Sequence, residues 1–73
     1  SNSLPAEDFL SVVINQLRHL ATTAGITKGH MKSAMIDLLA EMEELSTDLN
    51  QSTEYAIEKI NSAKNLINGK NND

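Results

Sequence analysis

Asp37, Glu41, Glu44 and Asp48 stand at steps of four, three and four, with Glu43 beside them. On a helix those steps bring carboxylates to one side. Paired carboxylates do acid–base work, and with further ligands they bind hard cations. Both chemistries need a sequestered pocket with groups converging from separate elements. Here the acids share one continuous segment with the apolar residues Met31, Met35, Leu38, Met42, Leu45 and Leu49. The acidic stripe is therefore expected to be a solvated helix face, and its functional alternative is a docking surface for a basic partner. Like charges at i and i+4 cost an isolated helix about 0.2–0.5 kcal/mol. Arg18, Lys59 and Lys64 are the cations on other segments that would offset this repulsion.

His19 follows Arg18 near the end of the first apolar segment, where a helix dipole favours a cation. Nothing around it marks a phosphotransfer motif, and no Ser or Cys is spaced for a triad. It is expected at the surface or its boundary, as is His30 in the turn. The chain has no cysteine, so His19 and His30 are its only soft metal ligands, too few for a structural zinc site. We expect no catalytic residue, no cofactor, no metal and no enzymatic activity.

A further pattern surrounds the glycine-bracketed turn Gly25-Ile26-Thr27-Lys28-Gly29. Leu20, Ala21, Ala24, Gly25, Ile26, Met31 and Ala34 resemble a helix-turn-helix over residues 17–36. In that motif a small residue lets two helices approach, a glycine permits the turn, and later apolar positions dock the second helix. The resemblance implies that Thr27, Lys28, Lys32 and Ser33 face outward on a recognition helix, where they suit phosphate or base contacts. Against it stands the charge balance. Ten acids and six bases give a net charge of −4, whereas nucleic-acid binders usually carry a basic footprint. The same charge disfavours an anionic membrane surface, and no run approaches the ~20 apolar residues of a membrane span.

The elements that must carry these residues are helices. Leu10, Val13, Leu17, Leu20 and Ala24 recur at steps of three and four before the turn, and the methionine–leucine series resumes the rhythm after it. Pro5 suits a first helical position, and Glu7 and Asp8 suit a first turn. A first helix is predicted over residues 5–24. Phe9, Val12, Ile14 and Ala21 widen its apolar face, and a face this wide needs two or more neighbours. Gly25 is placed to end that helix in the left-handed conformation, and Thr27 to cap the next.

No Gly or Pro occurs between His30 and Asn68, so the second helix is either continuous or broken near residues 48–53. Ser46-Thr47-Asp48 and Asn50-Gln51-Ser52-Thr53 favour caps over helix interiors. Asp48 with Gln51 would form a capping box, and Asn50 or Ser52 would start a new helix. The rhythm continues as Thr53, Ala56, Ile60, Ala63 and Ile67, after a stutter at Leu45–Leu49–Thr53. Tyr55 is either a lid on the core or a partner contact. The methionines are expected in the core, although a methionine-rich face also suits adaptable binding.

These readings make the chain a single all-α domain over residues 5–68: an antiparallel helical hairpin with a long or broken second helix. It would pack as a three-helix bundle or as an oligomeric, four-helix-type bundle. Residues 1–4 are expected to be a disordered end or a tag remnant, with the chain open to being part of a longer one, and residues 69–73 a frayed tail. Residues 1–10 lack the basic region and apolar stretch of a signal peptide, and the absence of cysteine fits a cytoplasmic setting. Seventy-three residues bury a core that supplies only ~3–5 kcal/mol, so self-association is the most available support. The expected function is homo-oligomerisation, as a dimer, through a shared core of Leu10, Val13, Leu17, Leu20, Met35, Leu38, Met42, Leu45, Leu49 and Ile60. The alternatives are a DNA-binding regulator using Thr27, Lys28, Lys32 and Ser33, and an adaptor that docks a basic partner through Asp37, Glu41, Glu44 and Asp48.

Overall fold

The first helix ends because Gly25 takes up a backbone conformation that other residues resist. A computed structural model of the chain describes residues 6–48 and 52–72. Within it α1 spans Ala6–Thr23, α2 spans Gly29–Thr47 and α3 spans Thr53–Asn71. At the end of α1, Gly25 has φ +89°. Its N–H donates to the Thr22 carbonyl at 3.0 Å, and the Ile26 N–H donates to the Ala21 carbonyl at 2.9 Å. This pair of bonds is a Schellman cap. It folds Ile26 back under the helix, where only 6% of the residue is exposed. Gly29 also has a positive φ, +74°, and opens α2. Thr27, expected as the cap of α2, does not hold that position. Lys28 does, with no side-chain bond to the helix, so the glycine pair rather than a capping hydroxyl shapes this corner.

The second apolar segment is broken, not continuous. α2 ends at Thr47, with the Asp48 N–H on the Leu45 carbonyl at 3.3 Å. α3 begins after Ser52, whose hydroxyl oxygen accepts from the Glu54 N–H at 3.1 Å. Ser46 and Thr47 turn their hydroxyls back onto the carbonyls of Glu43 and Glu44, at 2.6 and 3.0 Å. Such bonds compete with the helix ladder, and α2 stops there. The Asp48–Gln51 capping box reaches outside the described residues, as do the expectations for residues 1–4, Pro5 and Leu49. α3 runs through Gly69 to Asn71, past the start of the expected tail.

The result is a three-helix bundle with α2 at its centre, packed along both α1 and α3, while α1 and α3 touch each other least. The core comprises Leu10, Ile14, Leu17, Ala21, Ile26, Met35, Leu39, Met42, Ala63 and Ile67. Met42 is wholly buried. Leu20, expected in a core shared between copies, is 49% exposed in this chain and outside its own core, because α1 turns its Ile14–Ala21 side to α2. One expectation is corrected here. Thr53 is exposed rather than seated on the α3 seam, because it stands at the outermost turn of that helix. Val13, Ala24, Met31, Leu38, Leu45, Ala56 and Ile60 are half-buried against the core.

Candidate functional site

The seam expected to join two copies is filled by the chain's own helices. Leu10, Leu17, Met35 and Met42 are buried in the bundle, and Val13, Leu38, Leu45 and Ile60 pack against it. Three helices in one chain satisfy the heptad pattern that two hairpins would otherwise share. Of the residues expected at the shared core, Leu20 alone among those described is exposed.

Leu20 does not stand by itself. Phe9 is 62% exposed and Val12 48%. With Gln16, also exposed, they follow one another along α1 at steps of three, four and four, which keeps them on one face. Val12, Asn15, Gln16, His19 and Leu20 line a shallow, largely apolar depression there. Two ion pairs orient this face. Arg18 reaches Glu43 on α2 at 2.8 Å, which marks the α1 flank turned toward α2. Lys59 reaches Glu41 at 2.6 Å, which marks the corresponding flank of α3. Helical spacing puts Phe9 and Leu20 on the opposite flank of α1, and Ile57, 50% exposed, on the opposite flank of α3. These side chains border the open side of the bundle, between the two helices that pack least. The signal for this strip was the width of the apolar face of the first helix, which one chain's neighbours cover only in part.

The acidic residues divide. Glu41, Glu44 and Asp48 gather with Leu45 and Tyr55 in a small notch between α2 and α3, while Asp37 is exposed outside it. Two of the three offsetting cations are in place, Arg18 on Glu43 and Lys59 on Glu41. Lys59 also lies 5.0 Å from the centre of the Tyr55 ring, a cation–π distance. The bond to Glu41 is the main cause that holds the Lys59 ammonium above its ordinary pKa of 10.5; partial burial acts the other way, and the charge of Glu41 and the Tyr55 hydroxyl reinforce the rise. Tyr55 is 40% exposed, so it edges the notch rather than closing the core.

Thr27, Lys28, Lys32 and Ser33 are all exposed around the start of α2, as is His30, and so is His19 on the outer side of α1. Ile36, 53% exposed, follows one turn after Lys32, where a surface reading a nucleic acid would carry a polar group. Among the described residues no group of three or more His, Asp or Glu side chains is arranged to hold a metal ion, and no helix is long and apolar enough to cross a membrane. No protein-family model, curated protein or solved structure matches this chain.

Proposed function

We propose that this chain is a non-enzymatic protein–protein interaction module, and that it associates with a second copy of itself through the outer face of α1. The observation that carries the reading is the uncovered strip of Phe9, Val12 and Leu20, in a domain too small to build a large core. Full burial of a Val, Leu or Phe side chain contributes about 1.5–3 kcal/mol. Covering three half-exposed ones on each of two copies is comparable with the ~3–5 kcal/mol that a core of this size supplies by itself.

Charge favours a like copy on this face. Between Phe9 and Thr23 the sole Lys, Arg, Asp or Glu is Arg18, and it is engaged with Glu43. The acidic surface of α2, with Asp37, Glu41, Glu43 and Glu44 against Lys32 alone, would repel its counterpart, so the nearly uncharged outer side of α1 is where two chains of net charge −4 approach at less cost.

Sedimentation equilibrium over a wide concentration range tests this. The expected result is a reversible dimer that the double variant Val12→Asp/Leu20→Asp abolishes while leaving far-UV helicity unchanged, since both side chains point away from the core. A wild-type chain that stays monomeric at the highest concentration reached would sink the reading.

A second reading draws on the notch. Glu41, Glu44 and Asp48 with the Tyr55 edge offer a recess suited to a cationic side chain of a basic partner. The DNA-contact alternative has in its support the exposure of Thr27, Lys28, Lys32 and Ser33.

A further inference from the structure

The strip on α1 has a symmetry that a two-fold dimer can use. Val12 and Leu20 each stand four residues from Gln16, on either side of it, and Phe9 and Thr23 each stand seven residues away. All five are exposed. If two such helices are laid antiparallel with a two-fold axis beside Gln16, each Val12 faces the other chain's Leu20. Each Phe9 faces the other chain's Thr23, and the two Gln16 amides meet at the axis.

We infer that the dimer is isologous, with α1 packed antiparallel on α1 and its register set by Gln16. This rests on the self-association reading and specifies its geometry. A C2 interface must be self-complementary, and this arrangement makes it so without placing like charges together. An amide on the axis both donates and accepts, so two of them pair with each other. The same pair would lie unsatisfied against apolar groups if the helices slipped, which is how a single polar residue fixes register in helix pairs. A parallel pairing would place Phe9 on Phe9 and Leu20 on Leu20 at opposite ends, and would also stack the two helix dipoles in the same sense, which the antiparallel arrangement avoids.

The chain contains no cysteine, so single nitroxide labels can be placed without background. Asn15→Cys and Thr22→Cys put them on the same rim of α1, Asn15 at the edge of the depression beside the strip and Thr22 further along. At ~1.5 Å of rise per residue, an axis at Gln16 separates the two Asn15 labels by about 3 Å along the helix and the two Thr22 labels by about 18 Å. Pulsed and continuous-wave EPR on the dimer should therefore give a short distance at residue 15 and a clearly longer one at residue 22. Equal distances at both positions mean parallel pairing or an interface elsewhere, and overturn the register while self-association stands. A monomer by sedimentation removes the self-association reading first, and the register with it.

Discussion

Lys59 ties α3 to α2 through one ammonium, bonded to Glu41 at 2.6 Å and set over the Tyr55 ring. Its pKa lies above 10.5 in the fold, chiefly because of that bond, and returns to the ordinary value when the chain unfolds. The folded state therefore holds this proton more tightly. The associated stabilisation is complete below about pH 10.5 and is lost as pH rises through the folded value. It is modest, because the Glu41 side chain is 42% exposed and water screens the pair. Lys59→Met should melt below the wild type at pH 7, with the gap closing as pH rises past 10.5 and through the raised folded value. Thermal melts followed by circular dichroism give both numbers, and a gap that is constant with pH would mean the ammonium contributes through packing alone. At the same scale Ser46 shows how a hydroxyl can be buried cheaply: it donates to the Glu43 carbonyl of its own helix at 2.6 Å, so its own oxygen has a partner.

The elements depend on a few end-groups more than on their interiors. Ser52 is the side-chain cap of α3, accepting from the Glu54 N–H. Ser52→Ala should cost about 1 kcal/mol and speed amide exchange in the first turn of α3, while Ser52→Asp should preserve both; hydrogen exchange read by NMR separates the two variants. The Gly25 turn was legible in the sequence, and the break near residues 48–53 and the Ser52 cap stood there as one of two alternatives each, because Ser, Asp, Asn and Gly act mainly through local backbone bonds. Thr27, expected as a cap on the same ground, does not hold that position. The phase of each helix was not legible. Val13 sits next to Ile14, Leu20 next to Ala21 and Leu38 next to Leu39, so two apolar stripes one residue apart were equally available on α1 and α2. The choice between them turns a helix by about 100°, and it was made by where the third helix packs. Ile14, Ala21 and Leu39 went in, and Leu20 stayed out. Leu38→Asp, the obvious probe of a shared seam, would therefore strike the chain's own core, whereas Val12 and Leu20 report on association alone.

Across the whole molecule, the sign of the salt dependence separates self-association through α1 from the two readings that rest on attraction between unlike charges. Two copies that each carry −4 repel one another, and an uncharged apolar strip offers no compensating ion pairs. Screening should then strengthen association: as ionic strength rises from about 0.01 M to about 0.1 M, the Debye length falls from roughly 30 Å to roughly 10 Å, and long-range repulsion between the two net-negative chains, centred on their α2 surfaces, fades. A basic partner held by Glu41, Glu44 and Asp48 would behave oppositely, since screening weakens attraction between unlike charges. DNA held by Lys28 and Lys32 would also be weakened, through counterion uptake on release. The dimer dissociation constant, measured by sedimentation at these two ionic strengths, is expected to fall as salt is added. A constant that rises would place attractive charge in the interface, and would move the contact away from the outer face of α1 to the acidic helix and a cation facing it.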